Sequence, residues 1–224
     1  MKIIAIVPMR HNSERVPGKN FREFSGKPLY HYIIETLLEC EMIEQVVIDT
    51  DSSFIIADAE KYFPKVLIRE RPTHLRAGEI PMYDVLQHTI STLKDFDFFL
   101  QTHSTNPLLT KASLEQGINF YSENYPSFDS VFSVTKHQTR LWDDDGKPIN
   151  HDPDILLRTQ DLPPVYEENS CMYLFSREVL KRKNNRIGDR PYLLTIPKDE
   201  AFDIDEETDF IMAELMYKYK SKNI

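Results

Sequence analysis

Short apolar runs alternate with amphipathic segments along the first 135 residues of the chain. Runs rich in Val, Ile and Phe predict buried strands at 3–7, 44–49, 65–69, 97–101 and 130–135. Between them, apolar residues recur at helical spacing and predict helices at 28–40, 54–63, 82–93 and 111–121. Strands and helices that alternate in this way are typical of a mostly parallel sheet with helices on both faces. The pattern therefore predicts a doubly wound α/β fold.

The alternation breaks down between residues 136 and 169. Periodicity is weak there, polar groups are frequent, and turn signals such as Asp145-Gly146 appear. A long irregular insertion in a compact domain usually serves as a lid, a binding arm or an oligomer contact. Regular structure is predicted to resume with strands at 171–175 and 192–196 and helices starting at Ser176 and Glu206. The sequence has no repeat or linker, so we expect one domain over 1–224 with an excursion at 136–169.

Composition narrows the classes of protein that fit this sequence. Hydrophobic residues make up 41% of the 224 residues and charged residues 28%, which argues against disorder. The formal net charge of −9 differs from the basic face of a duplex-binding protein, so we expect no nucleic-acid partner. Cys40 and Cys171 have no metal-ligand spacing and fit the reduced thiols of a cytosolic protein. No apolar run suits a signal peptide or a bilayer span, which predicts a cytoplasmic protein without membrane contact.

A thirteen-residue loop, Pro8 to Asn20, follows the first strand and carries the cations Arg10, Arg15 and Lys19. Loops that follow buried strands lie at the carboxyl edge of the sheet, where open α/β folds bind ligands. The chain has six glycines and contains neither G-x-G-x-x-G nor G-x-x-x-x-G-K-[ST]. Cationic side chains, rather than a glycine-rich backbone cradle, would therefore hold a polyanion. The alternative is an ordinary solvated loop, which the polar residues interspersed with the cations disfavour.

A second group of charged residues, Asp203-Ile204-Asp205, precedes the last predicted helix. Residues two apart in a strand point to the same face, so these carboxylates are predicted to lie side by side. Such a pair invites Mg²⁺, which favours one or two carboxylates together with substrate phosphates. The alternative is an acidic helix start that stabilises the helix dipole. A cationic loop and a carboxylate pair together suit nucleotidyl transfer without naming the nucleotide.

Specific motifs add a resemblance to this picture. The segment Pro8-Met-Arg-x-x-Ser-x-Arg-x-Pro-Gly-Lys-Asn20 is similar to the amino-terminal signature of the CMP-sugar synthetases. That family comprises the acylneuraminate cytidylyltransferases and relatives acting on 3-deoxy-manno-octulosonate. Further matches keep the family's order: Gly26-Lys-Pro-Leu29, Asp49-Thr-Asp51, Arg71-Pro72, Leu100-Gln101, Pro107-Leu-Leu-Thr110, Asn169-x-x-x-Tyr173 and Asp203-Ile-Asp205. The resemblance therefore covers nearly the whole chain.

The resemblance implies a Rossmann-like nucleotidyltransferase that uses CTP. The anomeric hydroxyl of an acidic keto-sugar, such as a nonulosonic acid of the sialic-acid type destined for a surface glycan, would attack the α-phosphorus and release pyrophosphate. The implied site residues fall into four groups: Arg10, Ser13, Arg15 and Lys19 on the triphosphate, with Arg10 and Lys19 catalytic; Asn20 and Arg71 on the cytidine; Asp203 and Asp205 on Mg²⁺ and catalytic; and Gln101 facing the acceptor. Homodimerisation through 136–169 is also implied, with Trp142 as an interface anchor.

Two departures from the family pattern concern the acceptor. The loop after Gln101 is two residues longer than in sialate-activating members and has Leu109 where they carry arginine. Glu167 stands in the segment where those members often read Arg-Pro-Asn-Gly. An acidic sugar needs a cation or well-aimed donors for its desolvated carboxylate. Candidate acceptor-binding residues in this chain are Arg140, Arg158 and His103.

Alternatives to this function stay open at the level of sequence. The same CMP transfer to an octulosonate or a small phosphonate is the nearest one. A non-catalytic nucleotide-binding relative is the second, although Lys19, Asp203 and Asp205 argue against it. An NAD-dependent oxidoreductase is the third, and the missing glycine fingerprint disfavours it.

Overall fold

A seven-stranded sheet forms the centre of the structure, a computed structural model that describes residues 1–222. The strand order is β5-β4-β1-β6-β8-β7-β9. Neighbouring strands pair in parallel except at β8, which runs antiparallel to both β6 and β7. The strands are β1 (Ile3–Met9), β4 (Ile43–Thr50), β5 (Leu67–Glu70), β6 (Phe98–Gln101), β7 (Ser130–His137), β8 (Val165–Ser176) and β9 (Pro191–Thr195), with β2 (Glu23–Phe24) and β3 (Lys27–Pro28) forming a separate short hairpin.

Residues 1–222 form six α-helices, and several begin at the residues that their sequences indicate. The helices are α1 (Leu29–Glu39), α2 (Ser53–Tyr62), α3 (Met82–Ser91), α4 (Lys111–Asn124), α5 (Arg177–Lys183) and α6 (Glu207–Lys222). Ser52 caps α2, because its hydroxyl accepts a hydrogen bond of 3.3 Å from the backbone N–H of Ile55. Thr110 and Ser176 cap α4 and α5 in the same way. Among residues 1–222, every helix is too short or too polar to cross a membrane.

The central strand β1 shows why both faces of the sheet need helices. All its residues are buried, and successive side chains point to opposite faces. Ile3, Ala5 and Val7 pack in one cluster with residues of α1, α2 and α4. Ile4 and Ile6 pack in a second cluster with residues of α3 and α5. The predicted fold, a mostly parallel sheet covered on both faces, is confirmed.

The extension (residues 136–169) is more regular than the sequence predicted. Strands β7 and β8 continue into it as an antiparallel ladder that pairs His137 with Val165 and Thr135 with Glu167. The prediction of an irregular segment from 136 onward was therefore wrong at both ends. Polar side chains of β8, such as Glu167 and Glu168, are exposed, so this part of the strand lacks the apolar pattern of a core strand.

Candidate active site

A cavity of about 760 Å³ opens at the carboxyl ends of the parallel strands. Pro8 and Met9 at the end of β1 line it, as do His103, Ser104 and Thr105, which follow β6. Open α/β sheets bind ligands at this edge, because the strands end there and the loops that follow them converge. The sequence-predicted residues Arg10, Ser13, Arg15, Lys19, Asn20, Arg71, His103, Asp203 and Asp205 all line this cavity.

The cationic loop after β1 is folded back and braced from within. Gly18 has a left-handed φ of 65° and precedes the short helical turn Lys19–Phe21. Asn20 is 8% exposed, and its Nδ2 donates to the carbonyl of Arg10 at 2.7 Å. Its Oδ1 accepts from the hydroxyl of Ser104 at 2.7 Å. Asn20 therefore fixes the shape of the loop, and its predicted contact with cytidine stays a prediction.

The cations of the loop differ in their surroundings. The Arg10 guanidinium lies beside Gly78, and within residues 1–222 it has no carboxylate partner within 4.0 Å. Arg15 is an exposed partner of Asp205, at 2.6 Å. The Lys19 side chain is only 12% exposed, and its ammonium donates to the carbonyl of Ile204. Burial lowers the pKa of Lys19, against the opposing effect of the Asp205 and Asp203 carboxylates.

The acidic segment that faces these cations is irregular, so the prediction of a strand at Asp203-Asp205 was wrong. The buried side chain of Ile204 fixes it instead: Ile204 packs beside Val16 and Phe210, and its backbone N–H donates to the carbonyl of Thr105 at 3.0 Å. Asp205 Oδ1 lies 3.7 Å from the Lys19 ammonium. The two carboxylates thus reach the cavity through an anchored loop rather than through strand alternation.

The Asp203 carboxylate has one oxygen without a partner. Its Oδ1 is buried and has no hydrogen-bond partner in the protein. Burial and the neighbouring Asp205 carboxylate raise the pKa of Asp203, although the Thr105 hydroxyl and the Lys19 charge oppose this. No group of three or more His, Cys, Asp and Glu side chains within residues 1–222 forms a metal cage. Mg²⁺ is commonly bound by one or two carboxylates, with phosphates and water as the remaining ligands. Asp203 and Asp205 therefore fit this ion.

Arg71 occupies a different position from the loop cations, because its guanidinium is already paired. Its Nε donates to Asp49 Oδ1 at 2.5 Å, and both side chains are almost fully buried. Thr89 donates to the second oxygen of the same carboxylate at 2.7 Å. Arg71 therefore braces the floor of the cavity, and its predicted contact with cytidine stays a prediction.

The loop after β6 joins the two halves of the site. Ser104 bonds Asn20 of the cationic loop, as described above, and Thr105 accepts from Ile204. The side-chain amide of Asn106 donates to the carbonyl of Phe202 at 3.2 Å. One short loop thus positions both the cations and the carboxylates.

At the predicted acceptor side, Gln101, His103 and Arg186 form one network. Gln101 is fully buried at the end of β6, and its Oε1 accepts from the guanidinium of Arg186. Its Nε2 lies 2.9 Å from His103 Nε2 and must donate, so the His103 proton belongs on Nδ1. Burial, together with the charges of Arg186 and Lys19, lowers the pKa of His103 to about 3. His103 is therefore neutral at pH 7 and presents an N–H donor.

Arg186 lines the cavity but was missed in the sequence. It follows the exposed basic run Lys181-Arg182-Lys183, and in the sequence Arg186 looks like one more solvated cation of that run. The signal that was present is Gly188 two residues later, which indicates a tight turn.

Arg140 and Arg158 lie in the extension, and neither lines the cavity of this chain. Arg140 donates to the carbonyl of Leu157, and Arg158 forms an exposed ion pair with Asp161 at 2.7 Å. Their predicted contact with the acceptor is not made within this chain and stays a prediction that needs a second subunit.

Comparison with known proteins adds the family. A family model described as Cytidylyltransferase matches residues 4–224. The chain belongs to the cytidylyltransferase family. The resemblance to CMP-sugar synthetases inferred from the sequence is thereby confirmed at the level of the family.

Individual relatives of this cytidylyltransferase are more distant. It is 29% identical over 221 residues to an N-acylneuraminate cytidylyltransferase of Streptococcus agalactiae serotype V, covering 94% of this chain and 52% of the relative. It is 26% identical over 231 residues to a pseudaminic acid cytidylyltransferase of Campylobacter jejuni subsp. jejuni serotype O:2, covering 97% of each. The chain spans about half the length of the curated relatives it matches first.

A solved structure shows the same fold. It is a CMP:2-keto-3-deoxy-manno-octonic acid synthetase complexed with CTP, with a TM-score of 0.71 and 14% identity, covering 98% of this chain and 100% of that chain. At this identity the likeness establishes a Rossmann-like nucleotidyltransferase fold for this family member.

Proposed function

We propose that this chain transfers CMP from CTP to the anomeric hydroxyl of an acidic keto-sugar. The hydroxyl oxygen forms a bond with the α-phosphorus, and the bond between that phosphorus and the oxygen bridging to the β-phosphorus breaks. Pyrophosphate leaves, and the hydroxyl proton is released. Membership of the cytidylyltransferase family supports the class of reaction.

One observation carries the proposal. Within residues 1–222, a single cavity contains a cation with no carboxylate within 4.0 Å, Arg10, and a buried carboxylate oxygen with no hydrogen-bond partner, that of Asp203. Buried or half-buried charges are costly unless a partner compensates them. A metal-bound triphosphate supplies the anion that Arg10 lacks and the cation that Asp203 lacks. The cavity is therefore complementary to that ligand.

The residues of the chain would divide the work by position. Arg10, Ser13 and Arg15 bind and orient the triphosphate from the loop after β1. Lys19 is preorganised by the Ile204 carbonyl and stabilises negative charge that develops around the α-phosphoryl group. His103 faces the acceptor, whereas Gln101 is fully buried outside the cavity lining and its predicted contact with the acceptor stays a prediction. Asp203 and Asp205 would hold Mg²⁺, which when bound neutralises phosphate charge and helps pyrophosphate to leave.

Pyrophosphate release tests the proposal directly. The protein is incubated with CTP, Mg²⁺ and one acceptor at a time, and N-acetylneuraminate, pseudaminic acid and 2-keto-3-deoxy-manno-octonic acid form the panel. We expect release that needs CTP, metal and an acid together. Equal turnover with ATP or GTP contradicts the cytidylyl assignment. Saturable CTP binding without turnover on any acceptor identifies a non-catalytic relative instead.

We also propose that the chain forms a homodimer through the extension, as the family resemblance implies. Apolar side chains of the extension are unusually exposed, with Leu156 at 91% and Trp142 at 51%. Burying such side chains against a second copy removes apolar surface from water. Light scattering after gel filtration is expected to give a dimer for the wild type and a monomer for Leu156→Asp. The control is Leu215→Asp, because Leu215 is also exposed but lies on α6. A monomeric wild type contradicts the proposal.

A cytoplasmic location is proposed on the same footing. Cys40 and Cys171 are both buried free thiols, which suits a reducing compartment. Fractionation of the source cells checks this, and recovery of the protein outside the cytoplasm contradicts it.

A further inference from the structure

The loop that carries Arg186 (residues 184–190, the Arg186 loop) is fixed in place by buried acceptors. Asp129 is 4% exposed and accepts backbone N–H groups from Asp189 at 3.0 Å and Arg190 at 2.9 Å. The backbone N–H of Gly188 donates to the Ser130 hydroxyl at 2.8 Å. A Cβ at position 188 would overlap the Asp129 carboxylate, so only glycine fits. Asp129 and Ser130, at the start of β7, therefore hold this loop in place.

The loop places one half-buried cation, Arg186, in the lining of the cavity. The Arg186 guanidinium lies 3.5 Å from the centroid of the Tyr173 ring and donates to Gln101 Oε1. Burial lowers the pKa of Arg186 below its usual value. Within residues 1–222, no carboxylate lies within 4.0 Å of Arg186, whereas nearby Arg182 pairs with Asp129 and Asp189. The carboxylate of Glu168, which accepts from the Tyr173 hydroxyl, acts on Arg186 from farther away and favours its charged form. Arg186 is thus a half-buried arginine without a directly paired carboxylate.

This environment selects the kind of ligand. Stacking on Tyr173 and the bond to Gln101 fix the plane of the guanidinium, and a guanidinium so fixed matches a planar carboxylate with two parallel hydrogen bonds. His103, which is neutral, adds an N–H donor without a competing positive charge. The triphosphate cations, by contrast, lie on the loop after β1. The cavity therefore has two cationic parts, and the part with Arg186 is the one beside the predicted acceptor residues.

We propose that Arg186 binds the carboxylate of the acceptor sugar and so selects acidic acceptors. This inference rests on the proposed function. It gives the acceptor carboxylate a partner within this chain, in place of Arg140 and Arg158, which do not line the cavity.

Steady-state kinetics of Arg186→Gln and Arg186→Lys test the assignment, with the acceptor of lowest KM from the panel above. Arg190→Gln is the matched control, since Arg190 belongs to the same loop but its side chain donates to the carbonyl of Pro126 outside the cavity. Loss of a buried charge partner predicts a rise of roughly 30-fold or more in acceptor KM for Arg186→Gln. We expect the KM for CTP to stay within about twofold, partial recovery in Arg186→Lys, and wild-type values in Arg190→Gln.

The methyl ester of N-acetylneuraminate separates recognition from structural support. If Arg186 contacts the carboxylate, esterification weakens the wild type strongly and adds little to the defect of Arg186→Gln, because the same interaction is removed twice. Additive losses overturn the proposal. A rise in the KM for CTP with an unchanged acceptor KM also overturns it, and assigns Arg186 to a phosphate.

Thermal unfolding measurements distinguish a failure of this inference from a failure of the proposed function. If the wild type releases no pyrophosphate with any acceptor, the proposed function fails, and stabilisation by N-acetylneuraminate alone then decides the role of Arg186. An acid-dependent rise in unfolding midpoint that is present in the wild type and absent in Arg186→Gln supports the proposal. No rise in the wild type, or an equal rise in both proteins, overturns it. Retained stabilisation by CTP in Arg186→Gln shows that the variant is folded.

Discussion

Removal of the Lys19 ammonium is the sharpest perturbation of the chemistry proposed here. The side chain is 12% exposed, donates to the carbonyl of Ile204 and lies 3.7 Å from Asp205 Oδ1. It is therefore held in place before the reaction begins, which is the condition for effective electrostatic stabilisation of a transition state. Lys19→Met removes the charge and keeps most of the apolar stem.

The expected size of the effect follows from this environment. Loss of one preorganised donor costs about 2.7–4 kcal/mol, or roughly 10²–10³ in rate. The nearby Asp205 carboxylate offsets part of the Lys19 charge, so we expect the lower end, a fall of roughly a hundredfold in kcat. Arg15→Met is the matched control, because Arg15 pairs with the same Asp205 carboxylate but is 60% exposed. Arg15 is proposed to bind the triphosphate from an exposed position, so at saturating CTP we expect less than about a tenfold loss in kcat there, with the larger effect on the KM for CTP.

Single-turnover pyrophosphate release at saturating CTP, Mg²⁺ and acceptor measures the chemical step without interference from product release. Lys19→Arg keeps a positive charge and is expected to fall between the wild type and Lys19→Met. Unfolding midpoints of all variants establish that the fold is retained. A chemical rate for Lys19→Met within about threefold of wild type refutes the role in transition-state stabilisation.

Three further outcomes are expected. Asp205→Asn should abolish turnover at every Mg²⁺ concentration while the unfolding midpoint stays unchanged. The control is Asp199→Asn, at an exposed carboxylate that pairs with Lys220. If Asp205→Asn is as active as this control, Asp205 does not hold the metal. Arg71→Met should lower the free energy of unfolding by about 3–5 kcal/mol in urea denaturation, since it leaves the Asp49 carboxylate buried without its cation; a loss below about 1 kcal/mol shows that this pair is not structural. Because the pKa of His103 lies near 3, below its ordinary value, NMR should show a neutral ring with the proton on Nδ1 from pH 5 to pH 8; a titration midpoint inside that range contradicts the network.

The fold was accessible from the sequence because its signal is local. The apolar run of β1 is visible in the sequence itself, and so is the capping residue Ser52 at the start of α2. The direction of β8 was not predicted: the sequence located its core part at 171–175, but not its antiparallel pairing with β6 and with β7, the strand that precedes it in the chain. Alternation of helices and strands contains no information about a strand that inserts between two others.

The candidate site divides in the same way. The cations of the first loop are found from the sequence because they cluster within a few residues of one another. Asp203 and Asp205 do line the cavity, but the reason given from the sequence was partly wrong, since an anchored irregular segment and not a strand presents them. Arg186 was missed because its burial depends on Asp129 and Gly188 meeting in space. The role of a charged residue in a basic run depends on its surroundings in the folded protein, which the local sequence does not show.

The loop after β6 has a consequence for how this enzyme class diversifies. Ser104 holds the cationic loop and Thr105 holds the carboxylate segment, so a change in the length or backbone path of this loop displaces both donor-side elements at once. The Arg186 loop, in contrast, is anchored on Asp129 and Ser130, and it meets the end of β6 and the loop after it at the acceptor side, through Gln101 and His103. If Arg186 binds the acceptor carboxylate as proposed, substitutions at Arg186 should alter sugar preference with little effect on nucleotide binding. The proposed acceptor and donor sides are thus anchored at different points of the sheet, and directed evolution of new CMP-sugar specificities should begin at Arg186 and leave Gly188 unchanged.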